Sequence, residues 1–292
     1  MMSIVILADI EGSSGCTDRE GARWLTRDWI AACREMTFDV RAVVVALQAL
    51  GIAPITVVDF HRTGFNLFSE LLPPGIRLRQ GYRLRPIPGL GRPPEAGRAF
   101  FLGMHAAAGT EGFLAHTLTS RFRRLTVNGR PLAEVELFAG SLGAWGIRPT
   151  FFSGCPVACD QAAARISGLA VHPVPSRPMT KAAREEWRHS LAEAASRAAI
   201  KHEAPPPYRP TGPFHVQFRW KTHPEGAQAG REEETAFSTN SFADLYWRLL
   251  RQAYFPSVPP GWLPLALRAH AVMGRAGLAL ARRRWDRTGD PR

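Results

Sequence analysis

At 292 residues, with 45% hydrophobic and 21% charged residues, the chain has the size and composition of one large or two ordinary globular domains, which excludes global disorder and collagen-like repetition. The formal net charge of +12 comes from 37 Lys and Arg against 25 Asp and Glu, yet only Lys181, Lys201 and Lys221 are lysines. An Arg-, Ala-, Gly- and Pro-rich composition follows from GC-rich coding and does not by itself identify a polyanion-binding protein.

Ser3 to Ala8 is a continuous apolar run of strand length. The stretch Met1 to Gly12 has no positive leading region and is cut by Asp9 and Glu11, so it does not read as a signal peptide. Ala22 to Leu50 carries helical periodicity, and Pro54 to Val58 is β-branched. Gly51 and Pro54 interrupt the apolar run from Val43 to Val58, which therefore reads as helix, turn and strand and not as a bilayer span. Further strands are predicted at Arg98–Gly103 and Pro149–Phe152, with a two-residue hairpin at Asn128-Gly129. The alternation of strand-length runs with helical stretches is that of a parallel sheet covered by helices.

Beyond that region, Glu203 to Pro213 holds five prolines and reads as a linker or extended crossing. Phe214, Val216, Phe218 and Trp220 then alternate with polar residues as in a half-buried strand. Ser241 to Asp244 reads as a variant capping box opening a helix toward Tyr254. A last helix with Arg268, Arg275 and Arg282 at heptad spacing is predicted to end in Arg282-Arg283-Arg284. Nine Arg against three Asp between Ser241 and Arg292 place about half of the net positive excess there. The expected organisation is α/β: a doubly wound, mainly parallel sheet over residues 1–170, a second, smaller α+β domain over 171–255, and a basic helical extension over 256–292. With no signal peptide or bilayer span read, a cytoplasmic protein without a transmembrane segment is the expectation, and four scattered cysteines (Cys16, Cys33, Cys155, Cys159) read as reduced thiols.

Polar residues fall where the predicted strands end. Asp9 and Glu11, two apart after an apolar strand, project to one side in extended geometry, and two buried like charges are costly unless a cation neutralises them. The next strand runs out at Asp59-Phe60-His61, the third at Met104-His105. In a parallel sheet these ends share the edge where open α/β folds place their sites. A lone strand-terminal carboxylate is more often a cap and a lone histidine more often structural; the joint placement puts a metal site on an equal footing with those bland alternatives.

Ala8-Asp9-Ile10-Glu11-Gly12, Val58-Asp59-Phe60-His61, Gly103-Met104-His105-Ala106, His116, and Asn128 to Glu134 together resemble the ordered motifs of the M55 family of D-aminopeptidases, from about Ser3 to Ala164. The resemblance implies a binuclear zinc hydrolase that removes D-amino acids from the N-termini of short peptides, within a ring-shaped homo-oligomer. Matched by position, Asp9, Glu11, His61, His105 and Glu134 correspond to the family's metal ligands and His116 to its catalytic histidine. Three carboxylates against two divalent ions, with a bridging hydroxide, would balance in charge, and oxygen and imidazole donors without thiolates suit hydrolytic zinc or manganese. His116 would then stabilise the oxyanion or move a proton to the leaving amine.

Asp59 reads equally as a partner orienting a ligand or as a turn or helix cap. Glu136 is a rival to Glu134 if the segment is strand-like; on a helix the two would diverge by roughly 200°, and Glu134 is preferred. The chain departs from the family pattern at Gly154-Cys155-Pro156 and at Phe138, where relatives commonly carry polar groups, and these changes bear on the substrate pocket. The resemblance fades beyond Val171, recovers around Pro213–Ala253, and leaves the segment after Phe255 as an addition. Three readings follow: an aminopeptidase, a related metal-dependent amidohydrolase of a specialised small metabolite, and a non-catalytic binding or scaffold protein using the arginine-bearing helix. No aromatic and basic interleaving of the RNA-binding kind is present, and no nucleic-acid partner is expected.

Overall fold

A computed structural model describes residues 2–175, 178–221 and 231–285. The chain opens with β1 (Ile4–Ala8), whose five residues are all buried, as a strand covered on both faces requires. The helical stretch predicted from Ala22 divides in two. A short α1 (Arg19–Ala22) precedes α2 (Arg27–Ala49), which starts where the Thr26 side chain accepts the Trp29 N–H. Then come β2 (Ile55–Asp59), β3 (Ile76–Arg79) and β4 (Arg98–Met104). The half-exposed β3, Ile-Arg-Leu-Arg, lacks an apolar run and escapes sequence reading.

The hairpin β5 (Phe122–Val127) and β6 (Arg130–Pro131) turns at Asn128-Gly129, both at positive φ (51° and 78°), as a type I′ turn demands. It leads into α3 (Glu134–Gly143), β7 (Arg148–Gly154), α4 (Pro156–Arg165), β8 (Ala170–Pro173) and α5 (Lys181–Ile200). After the proline-rich crossing follow β9 (Phe214–Lys221), β10 (Glu232–Thr239), α6 (Phe242–Tyr254) and α7 (Leu263–Trp285). β9 alternates buried and exposed residues, and the Ser241 hydroxyl accepts the Asp244 N–H at the start of α6, both as predicted. The end of the expected basic extension, 286–292, lies outside the described residues.

Six parallel strands form the large sheet in the order β3-β2-β1-β4-β7-β8, with winding reversing between β1 and β4. Along β1 the side chains divide by parity: Ile4, Ile6 and Ala8 join a core with α2 and α5, while Val5 and Leu7 join a second core with α3, α4, α6 and the small sheet. The small antiparallel sheet has the order β10-β9-β5-β6. The layers interleave along the chain and do not divide at residue 170: β8 straddles it and α5 lies beyond it, yet both belong to the large sheet and its helical cover, whereas β5 and β6 lie before it yet share the small sheet with β9, which pairs with β5. Among the described residues no helix is long and apolar enough to cross a membrane.

Candidate metal centre

The reversal between β1 and β4 leaves a crevice at the carboxyl ends of the strands, the usual place for a site in an open α/β sheet. Two glycines let the strand ends come close. A Cβ on Gly12 would lie 1.8 Å from the Met104 carbonyl oxygen, and one on Gly103, at φ +74°, would lie 2.0 Å from that of Asp9. With this closeness, β1 delivers Asp9 and Glu11, β2 delivers His61 and β4 delivers His105 to one spot, all buried. Glu134 arrives from the first turn of α3, where a carboxylate also meets the positive end of the helix. His116 comes from the loop after β4, held by its backbone N–H on the Ala106 carbonyl (3.0 Å). The Glu134 carboxylate fixes the same loop by accepting the Leu118 N–H at 2.6 Å.

All six residues singled out in the sequence are therefore brought together. Two groups of three, Asp9/Glu11/His61 and His105/His116/Glu134, each offer ligand atoms lying within 4.8 Å of one another. Asp9 stands between the groups, with Oδ1 3.2 Å from His61 Nδ1 and Oδ2 3.3 Å from His105 Nε2. Glu11 Oε2 is 2.8 Å from His61 Nδ1, and Glu134 Oε1 is 3.6 Å from His105 Nε2. The His105 and His116 rings stack nearly parallel, centroids 3.9 Å apart. Each of these two histidines faces a backbone carbonyl with Nδ1, His105 on Ala106 (3.2 Å) and His116 on Leu114 (2.8 Å). A carbonyl only accepts, so Nδ1 carries the proton in the neutral ring and Nε2 is left with its lone pair toward the carboxylates, the tautomer a metal ligand needs.

Buried together, the carboxylates and imidazoles of the cluster strongly perturb one another. Burial and the Glu11 carboxylate push the Asp9 carboxyl up to about 7, against the pull of His61 and His105. Burial disfavours the charged His61 ring, but Glu11 and Asp9 outweigh it and hold its pKa up at about 10. His105 is raised well above the ordinary histidine value by Glu134 and Asp9 in spite of its burial. His116 moves the other way, depressed by burial and by His105. Buried Asp9 Oδ2 and His61 Nε2 make no hydrogen bond among the described residues. Three carboxylates, three imidazoles, no thiolate and unsatisfied donor atoms fit divalent zinc.

The two ambiguous acids separate cleanly. Asp59 accepts the backbone N–H groups of Asn66 (2.5 Å) and Leu67 (2.8 Å) and the Asn66 side-chain amide (2.8 Å); the same amide donates to the His61 carbonyl at 2.7 Å. Asp59 thus organises the turn that carries His61 and does not touch its ring. Glu136 turns away from the cluster, accepting the Ala133 N–H (3.0 Å) and the Tyr208 hydroxyl (3.3 Å). Helical geometry separates it from Glu134, as preferred from the sequence. Neither Phe138 nor Cys155 lines the cleft; Phe138 packs its ring on Phe60, centroids 4.4 Å apart, and acts on the wall from behind.

The cluster forms the floor of an open cleft of about 1020 Å³, whose walls include Arg19, Glu20, Arg62, Arg121, Tyr254 and His270. These wall residues escape sequence reasoning because nothing local marks them. His270 comes from α7, where it stacks on Tyr82 with ring centroids 6.0 Å apart, and the Tyr82 hydroxyl donates to the Phe60 carbonyl beside His61.

Comparison with known proteins gives a family and a fold. The model of the Peptidase M55 family, described as D-aminopeptidase, matches residues 2–235. A D-aminopeptidase of Bacillus subtilis (strain 168) is 27% identical over 162 residues, 55% of this chain; the match spans 59% of that relative's length. Among solved structures, the Zn-dependent D-aminopeptidase DppA from Bacillus subtilis, described as a self-compartmentalizing protease, superposes with a TM-score of 0.73 at 20% identity. It covers 88% of this chain and 100% of its own, a likeness of fold.

Proposed function

The chain belongs to the M55 peptidases, the D-aminopeptidase family, and from that premise we propose that it is a zinc-dependent aminopeptidase using two metal ions to hydrolyse the N-terminal amide bond of short peptides, D-residue peptides among them. The observation that carries this reading is Asp9, whose two oxygens face His61 on one side and His105 on the other, making one continuous site of two donor groups. Asp9, Glu11 and His61 would hold one ion, His105 and Glu134 the other, with Asp9 between them. Bound zinc supplies Lewis-acid polarisation of the scissile carbonyl and acidifies coordinated water.

The protein's own groups do the rest. His116, depressed in pKa and with Nδ1–H held on the Leu114 carbonyl, presents an unprotonated Nε2 that accepts a proton and returns it to the leaving amine nitrogen. Against its burial, the His105 and His116 rings and, less strongly, the Leu118 N–H hold the Glu134 carboxyl below its ordinary value, and Asn66, set by Asp59, holds the His61 turn. The guanidinium groups of Arg19 and Arg62 on the cleft wall suit the free carboxylate of a short peptide. The same arginines favour one second reading, a related amidohydrolase of a small carboxylate-bearing metabolite.

A homo-oligomeric, ring-shaped assembly with enclosed sites is part of the proposal, supported by the self-compartmentalizing neighbour. A cytoplasmic setting is supported by four buried free thiols. The test is elemental analysis of purified protein, expected to show about two zinc equivalents per chain, together with assays of D- and L-dipeptides, their C-terminal amides and non-peptide amides before and after chelation. Activity confined to non-peptide amides selects the second reading. Full turnover after complete removal of metal overturns both.

A further inference from the structure

Helix α7 begins well after residue 235, where the family match ends, and its two sides have opposite characters. The inward side is made of small residues. A Cβ on Gly274 would lie 2.6 Å from that of Thr63, and one on Gly277 would lie 2.2 Å from the Trp24 ring, so only glycine lets the helix settle this closely against the segment that follows His61 and against the connection between α1 and α2. Ala281 is buried in the α2 core, and Arg282 pairs with Glu70 and covers the Phe68 ring. These contacts hold the helix in place and determine which face is left outward.

That outward face is apolar for nearly its whole length. Leu265, Ala269, Val272, Met273, Ala276 and Leu280 form a continuous stripe at helical spacing, all exposed, with Val272 at 69% and Leu280 at 62%. Trp262, just before the helix, is 63% exposed. Exposed Arg268, Arg275, Arg283 and Arg284 border the stripe, and no acidic residue occurs between Pro256 and Trp285. The remaining exposed large apolar side chains are scattered over other elements (Leu25, Val45, Leu50, Trp145, Val171, Ile200), so the described residues offer no second apolar face to receive the stripe. Helix-to-helix pairing of two copies would oppose two wholly cationic helices.

We propose that the outward face of α7 is a docking surface for an anionic lipid bilayer, the helix lying in the plane of the headgroups with its apolar stripe inserted and its arginines on the phosphates. Charge complementarity selects this occupant: an apolar stripe bordered only by cations matches a surface that is apolar within and negative at its rim. The helix is not apolar enough to span. Because His270 on the other side of α7 forms part of the cleft wall, a single helix would join the site to the membrane surface.

The test uses the full-length protein and sedimentation with extruded vesicles of phosphatidylcholine alone or mixed with phosphatidylglycerol. Wild type is expected to pellet with the anionic vesicles at least about tenfold more than with neutral ones, and to be released at about 0.5 M salt. Val272→Glu/Leu280→Glu, both on the exposed face, should abolish pelleting by a similar factor with unchanged melting temperature and unchanged mass by light scattering. Arg268→Gln/Arg283→Gln, which spares the stripe, should weaken it as well. No pelleting of wild type with anionic vesicles overturns the proposal, as does equal pelleting with neutral ones. A fall in oligomeric mass in Val272→Glu/Leu280→Glu with vesicle binding intact would also overturn it, by making the face an interface between copies.

Discussion

Two clusters of buried charge, one between the helices that cover one face of the large sheet and one at the ends of its strands, show opposite chemistry. Behind the sheet, Asp39 of α2 accepts the Ser14 N–H (2.9 Å), the Ser14 hydroxyl (2.7 Å) and the Arg188 guanidinium of α5 (2.8 Å). Arg188 also reaches Glu35 and Glu185. Each charge there has its complement inside the protein. At the strand ends, Asp9, Glu11 and Glu134 gather round three histidines, His61, His105 and His116, and Asp9 Oδ2 and His61 Nε2 make no hydrogen bond among the described residues. The first cluster is a tie between two helices closed by arginine; the second gathers carboxylates and imidazoles, the donor set of the proposed metal site. The kind of partner, guanidinium in one and imidazole in the other, and not burial of charge as such, distinguishes the tie from the candidate site.

Substitutions sharpen this contrast. The largest effect is expected from His105→Ala, which removes a donor from the site but no tie from the fold. Its kcat/KM should fall by about 10³-fold or more and its zinc content should drop, while the metal-free melting temperature changes little; elemental analysis and calorimetry check both. Arg188→Met should do the reverse. It leaves Asp39 buried without its cation, costing about 3–5 kcal/mol in urea unfolding, with zinc content and turnover per folded molecule preserved.

Between these lies Asp59→Asn, which weakens the turn carrying His61 without removing a donor atom. Zinc affinity, measured by competition with a chelator, should decline by about 10–100-fold. The smallest effect is on the metal-free fold of Asp9→Asn. Because burial and Glu11 already push the Asp9 carboxyl up to about 7, losing its charge should leave stability in the absence of metal unchanged or raised by about 1 kcal/mol, although zinc is lost. Destabilisation of metal-free Asp9→Asn to the extent expected of Arg188→Met would break the comparison.

The same contrast explains what could be read ahead of folding. Asp9, Glu11, His61 and His105 were legible because strand ends in a parallel sheet share an edge, and Ile4–Ala8 and Ile55–Asp59 declare themselves by apolar, β-branched runs. The Asn128-Gly129 turn was legible because few residues tolerate its backbone. Glu134 and His116 needed the family motif, since one comes from a helix start and the other from a loop. The Asp39–Arg188 tie left no trace in sequence: its members are ordinary helix residues until α2 and α5 pack together.

By itself the sequence determined the strand ends, the donor inventory and the cationic character of the last helix, because these depend on local pattern and composition. Only the tertiary structure decided that Asp9 stands between two donor groups, that Glu136 turns away while Glu134 does not, and that α7 seats its glycines inward and lends His270 to the cleft. Those outcomes rest on close approach between distant segments, set by glycine positions and packing, and local sequence propensity carries no term for such distances.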